Sequence, residues 1–268
     1  MKSVLAIIAA GLVATSTSAF AEGTVAKVTP TLTPVLSGEV SLDFAESASG
    51  DWGGTMGVDL NVDSALGGVA LDFSATDGGN LRLDNWTVGT SVSGVALAFG
   101  DDNGLMPGAE GEQTLAAPAM TESLQASVGA ASVAIGFTDW NSDITDISNI
   151  QGAYTLGTEV ADVTLSGDMN LDTDNIVLGA EIAGIDLGVA SIGGAATYDM
   201  DAEMFGFETV AKTGNIVSYL NGEQDDLLQN IGAEYTYNMS ADVDFSAGAN
   251  YNLDSEELTP TVGLSFNF

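Results

Sequence analysis

The 268-residue sequence contains no cysteine and no histidine. Without cysteine there is no disulfide framework, no thiolate nucleophile and no thiolate metal site. Without histidine there is no Ser-His-Asp relay, no imidazole acid–base pair and no imidazole ligand. Basic residues are nearly as scarce: Lys2, Lys27, Arg82 and Lys212 stand against 38 acids, for a formal net charge of −34. So few cations cannot neutralise a phosphate backbone, which excludes nucleic acid as a partner. Carboxylates are so numerous that no single close pair is informative as a glycosidase signature. The Gly-x-Gly strings have no helix to open. No enzyme constellation is present, and no cofactor is required. Charge of one sign often means disorder, but 45% apolar content in dense alternation argues for a folded chain.

Long hydrophobic runs are missing too. Beyond residue 21 no apolar run reaches the ~18 residues that a membrane-spanning helix needs. Residues 1–21 read as a secretory signal peptide: a charged start at Met1-Lys2-Ser3, an apolar run Val4–Ala14, and the small-x-small site Ala19-Phe20-Ala21. Residues 22–268 then form one exported domain that either stays soluble or crosses a membrane as strands.

What is abundant is alternation with a period of two. In the final stretch Leu258, Pro260, Val262, Leu264, Phe266 and Phe268 are apolar, and Thr259, Thr261, Gly263, Ser265 and Asn267 lie between them. From Val35 onward segments of this kind recur, each followed by Gly, Asn, Asp or Ser. Sixteen strands result if Ile185–Asp199 is one long strand with a bulge at Gly193-Gly194 and a tight turn at 183–184 before it. The connections alternate, long then short, as in an outer-membrane barrel with long outer loops and short periplasmic turns. Aromatic residues gather at strand ends. Phe44, Phe73, Phe99, Phe137, Tyr198, Tyr219 and Tyr251 fall at one end, and Tyr235, Tyr237, Phe266 and Phe268 at the other, the pattern of two interfacial girdles. The expected fold is an all-β transmembrane antiparallel barrel of about sixteen strands over residues 22–268. A soluble sandwich with its apolar faces turned inward has the same alternation.

The longest connection, residues 100–122, carries Asp101, Asp102, Glu110, Glu112 and Glu122 and no basic residue. Gly104, Pro107, Gly108 and Gly111 suit an irregular backbone lining a cavity. Arg82 is the one cation expected on the outer half of the wall. Asp101-Asp102-Asn103-Gly104 and the run Asp168–Asp174 have the oxygen density of a calcium loop, which makes Asp101, Asp102, Asp168, Asp172 and Asp174 the candidate calcium ligands. Neither stretch has the full EF-hand spacing.

The export signal, the strand count, the placement of the longest loop and the terminal Thr261-x-Gly263-x-x-Phe266-x-Phe268 together resemble the general porin family of Gram-negative bacteria, in its alphaproteobacterial branch. That resemblance spans residues 22–268 as architecture and carries no long diagnostic string. It implies an outer-membrane channel for passive diffusion of small hydrophilic solutes and ions, assembled as a homotrimer in contact with outer-membrane lipid and lipopolysaccharide. It implies that Thr261, Gly263, Phe266 and Phe268 form the signal read by the barrel-assembly machinery. The third long loop of such porins folds inward and sets acids against a wall cluster of arginines. Here only Arg82 is available, so a negative ring remains and cation selectivity is expected. The competing expectations are a non-conducting outer-membrane barrel with a structural or adhesive role, and a soluble exported calcium-binding β-protein.

Overall fold

The computed structural model describes residues 34–46, 52–64, 67–76, 79–101, 104–107, 120, 122–138, 146–224 and 228–268. The signal-peptide assignment therefore lies outside the described residues. Among these residues sixteen strands form one closed antiparallel barrel, each hydrogen-bonded to its sequence neighbours. They are β1 (Val35–Glu46), β2 (Trp52–Ser64), β3 (Gly67–Thr76), β4 (Arg82–Val92), β5 (Val95–Gly100), β6 (Glu122–Val128), β7 (Ala131–Phe137) and β8 (Ile147–Gly157). The second half comprises β9 (Asp162–Asn170), β10 (Ile176–Asp186), β11 (Ser191–Asp199), β12 (Met204–Thr213), β13 (Ile216–Glu223), β14 (Asn230–Ser240), β15 (Val243–Asn252) and β16 (Glu257–Asn267). Closure comes from β1 pairing with β16, from Glu39↔Asn267 to Ala45↔Thr261. A closed ladder has no unpaired edge, so backbone donors and acceptors are satisfied without water.

Closure also decides which face is which. Leu36, Val40, Leu42 and Phe44 of β1 stand opposite Val62, Val58, Met56 and Gly54 of β2, and the odd-numbered residues between them are Ser, Glu, Ser and Asp. Following the register around the barrel keeps the apolar set on the outer face. The apolar side chains are therefore turned away from the interior, and Leu36, Leu178, Leu165, Phe245 and Phe266 are all exposed on the isolated barrel. The buried apolar side chains among the described residues are few: Met120, Ala134, Ile135, Phe137, Val177 and Val210. A soluble sandwich would reverse this proportion.

Four bulges maintain the division of faces. In β4, Leu83 pairs with Phe73 and Asn85 with Asp72, leaving Asp84 as the extra residue. In β10, Ile182 pairs with Gly194 and Ile185 with Ile192, so Ala183-Gly184 is the bulge, with Gly184 at φ +51°. Similar shifts fall at the start of β8 and the end of β14. The sequence expectation of a bulge at Gly193-Gly194 and a turn at 183–184 is thus corrected. Both glycines pair regularly with β12, Gly193 stands opposite the bulge of β10, and the chain reverses at 187–190 instead. There Gly188 N donates to Asp186 Oδ1 at 2.7 Å and Leu187 N to the Ala190 carbonyl at 2.8 Å. The turn reads Leu-Gly-Val-Ala, and its apolar alternation mimics a strand although Val189 is 84% exposed.

The aromatic girdles also need one correction. Tyr219 pairs with Val210 and Gly232, on the inner face, so it belongs to no outer girdle. Its ring lies against Gly232, where a Cβ would collide with it. Phe137 is buried at its strand end, whereas Phe44, Tyr198, Tyr251, Tyr235, Tyr237, Phe266 and Phe268 face outward as expected.

Three connections, after β9, β11 and β15, share one construction. They read Asn170-Leu-Asp-Thr-Asp174, Asp199-Met-Asp-Ala-Glu203 and Asn252-Leu-Asp-Ser-Glu256. In each, the first side-chain Oδ1 accepts backbone N–H bonds from the third and fourth residues, at 2.8–3.0 Å. The fifth residue is left-handed, with φ of 58°, 53° and 56° at Asp174, Glu203 and Glu256. Asn and Asp close such turns because their short side chains cap their own backbone.

Candidate functional site

The inner wall is the candidate site. One row of directly opposed residues runs Asn267, Glu39, Asp59, Asp72, Asn85 across β16 and β1–β4. Glu39 and Asp59 are directly opposite, as are Asp59 and Asp72, so three carboxylates stand side by side. Asp43 faces Gly263 on β16, and Glu234 on β14 lies near enough to Asp43 to feel its charge. Arg82, the first residue of β4, pairs with Ser74, an inner-face position. This sector of the wall is acidic with one cation at its rim.

Elsewhere the inner wall carries more amides, with carboxylates set among them. Asn221, Asn230 and Asn252 are directly opposed across β13, β14 and β15. Asn230 Nδ2 donates to Asn221 Oδ1 and Asn252 Nδ2 to Asn230 Oδ1, both at 3.0 Å. Glu208 on β12 opposes Asn221 and shares a recess of about 220 Å³ with Glu181, Ala195 and Lys212. Nearer β8, Asn149 Nδ2 donates to both oxygens of Asp168, at 3.2 and 3.1 Å. Gln151 donates to the same carboxylate. Asn149, Gln151 and Asp168 are 4%, 0% and 2% exposed, deep burial for polar groups on the wall of an open barrel.

What covers them includes the connection between β5 and β6. Leu105 N donates to Gln151 Oε1 at 2.6 Å. A Cβ at Gly179 would lie 2.6 Å from Pro107 Cδ and 3.1 Å from Met106 Cε, so the absence of a side chain makes room for the loop. Gly136 serves Met120 likewise, with Met120 Cε 2.8 Å from where a Cβ would be. Gly136, Gln151 and Gly179 are inner-face residues of β7, β8 and β10. Residues 104–107 and Met120 therefore lie inside the barrel, against that wall.

Of the sequence-predicted residues, Asp101 follows β5 directly and its N–H is held by the Trp86 carbonyl at 2.9 Å. Asp102, Glu110 and Glu112 lie outside the described residues. Glu122, read as part of the loop, is the first residue of β6 and pairs with Phe137. Among the calcium candidates, Asp168 points into the lumen from β9, whereas Asp172 and Asp174 sit in the exposed turn beyond it, its backbone tied to Asn170. No group of three or more acids placed to hold a metal ion occurs among the described residues. Thr261 and Gly263 face the lumen and Phe266 faces out, all on β16 in regular pairing with β1 and β15. Sequence reasoning missed the Asn149–Gln151–Asp168 cluster and Tyr219, because amides spread over separate strands carry no spacing signal.

Solved structures resemble the chain over its length. An engineered variant of the Rhodopseudomonas blastica porin matches with a TM-score of 0.59 at 13% identity, covering 88% of this chain and 100% of that one. The barrel has the porin fold. A triple variant of the same porin gives 0.60 at 12% identity, with 88% and 100% covered. OmpT, an outer-membrane protein of Vibrio cholerae in its trimer form, gives 0.53 at 10%, with 88% and 99% covered. No protein-family model and no curated relative matches the sequence. Within this porin fold, the amide- and glycine-bearing β7–β10 wall seats residues 104–107, and the acidic row lies on β1–β3.

Proposed function

We propose that the protein is an outer-membrane porin passing small hydrophilic solutes and ions by diffusion, with a preference for cations. The observation that carries this reading is the division of faces. A closed barrel with apolar residues outside and carboxylates, amides and hydroxyls inside has no aqueous fold to serve, but suits a bilayer around a watery channel. The seat of residues 104–107 on the inner wall supports loop 100–122 as the constriction, with Asp101, Asp102, Glu110 and Glu112 as its acids and Arg82 as the wall cation. The acidic row on β1–β3 supports cation preference, since rows of Asp and Glu attract cations and repel anions. Asp172, Asp174, Asp201, Glu203, Asp254 and Glu256 add negative charge at the loop end, where divalent ions such as calcium act as counter-ions. No residue constellation among the described residues supports an enzymatic role.

The trimer form of the Vibrio cholerae protein supports a homotrimer here. The outward aromatic rings support contact with outer-membrane lipid and lipopolysaccharide. Thr261, Gly263, Phe266 and Phe268 serve as the signal for the assembly machinery. The test is reconstitution in a planar bilayer under a salt gradient. Stepwise conductance with a cation-selective reversal potential is expected. Anion preference overturns the selectivity. Absence of steps from inserted protein favours a plugged structural or adhesive barrel, and failure to show heat-modifiable gel migration favours a soluble protein.

A further inference from the structure

We infer that Gln151, oriented by Asp168 and Asn149, is the latch that fixes the inward loop to one wall of the lumen. The inference rests on the channel reading above and concerns how its constriction is held. A side-chain amide has a donor end and an acceptor end of nearly identical shape, and its neighbours decide which way it faces. The Asp168 carboxylate only accepts. It takes Nδ2 of Asn149 on both oxygens and the N–H end of Gln151, so the carbonyl end of Gln151 is presented to the lumen. That oxygen receives the Leu105 N–H at 2.6 Å, an anchor from a rigid strand to an irregular backbone. Gly179 and Gly136 complete the seat by leaving space for Met106, Pro107 and Met120.

Each part is needed for a definite reason. Without Asp168 the Gln151 amide has no fixed orientation and can offer its NH₂ to a backbone N–H, which repels it. Without Gln151 the buried Asp168 loses a donor and the Leu105 N–H loses its acceptor. The anchoring bond joins a neutral amide to a backbone N–H, so salt screening leaves it intact. Gln151 is thus a positioning residue: it touches no permeating solute, and it sets where the constriction stands.

The experiment compares single-channel recordings of the wild type, Gln151→Ala, Asp168→Asn and Leu105→Pro. The last removes the donor from the loop and leaves the wall untouched, which separates loop release from barrel damage. Heat-modifiable migration reports an intact barrel in each case. The three variants are expected to lose the single quiet open level, with added current fluctuation and a larger mean conductance. A Leu105→Cys/Gln151→Cys pair, in a chain with no other cysteine, is expected to be quiet when oxidised and noisy when reduced. Folded variants with wild-type conductance and noise overturn the latch, as does an oxidised pair that stays noisy. A folded wild type that passes no current overturns the channel reading instead.

Discussion

Gly38 and Phe268 exchange both backbone hydrogen bonds at 3.0 Å, one beyond the last regular pair of β1 and β16, and the Phe268 ring covers the glycine. A Cβ at position 38 would lie 2.8 Å from the ring Cζ and would collide with the Asp59 carbonyl of the next strand. Closure of the barrel thus ends in a residue without a side chain paired with a residue that has a large one.

Deleting Phe268 removes both bonds and the ring cover. The folded fraction, read by heat-modifiable migration, is expected to fall sharply, while the molecules that do insert keep wild-type conductance. Gly38→Val is expected to act in the same direction through backbone overlap. Normal assembly of both variants contradicts this account of the seam.

Asp59 stands directly opposite both Glu39 and Asp72. Like charges so placed repel, so Asp59→Asn is expected to raise the unfolding free energy, read from urea titration, by about 0.2–0.5 kcal/mol after screening by channel water. The same change lowers cation selectivity, read as a smaller reversal potential. Added calcium is expected to shift the wild-type potential in the same direction. A variant both less stable and more cation-selective refutes the assignment.

Tyr219 lies across Gly232 on the inner wall. Tyr219→Ala costs about 0.2–1 kcal/mol of cross-strand packing, and conductance is expected to rise slightly as the ring leaves. Gly232→Val displaces the ring into the lumen and is expected to lower conductance. Equal conductance in the two variants rules out an inward Tyr219.

The turn after β15 hangs on Asn252, whose Oδ1 receives the N–H of Asp254 and Ser255 and the Ser255 hydroxyl, at 3.0, 2.8 and 3.0 Å. Asn252→Ala is expected to destabilise by roughly 1 kcal/mol. Glu256→Gly relieves a left-handed residue and is expected to stabilise by about 1 kcal/mol. Thermal midpoints in detergent check both, and ion selectivity changes little in either.

Alternation made the strand number and barrel class legible, because the period of two survives in nearly every segment. It failed where apolar residues occur outside strands, as at Leu187 and Val189, and where the period slips, as between Ile182 and Ile185. Both isoleucines face outward although they are three apart, and Leu83 and Trp86 do the same around Asp84. An apolar i, i+3 pair inside a strand was the available signal for each bulge. The site was less legible. Acids of loop 100–122 stood out by charge, but the residues that seat the loop are neutral or glycine. Which amides meet across the wall depends on register, and register is fixed only when the barrel closes.

The bulges give the wall something like a reading frame of two. Every strand must enter and leave in phase, or its lining and its lipid face exchange places all the way to the next turn. Asp84 and Gly184 are two of the insertions that restore phase. Losing one residue from a strand without a bulge would turn a segment inside out. Strand length in this barrel therefore varies freely in steps of two, whereas a single-residue change needs a new bulge to absorb it.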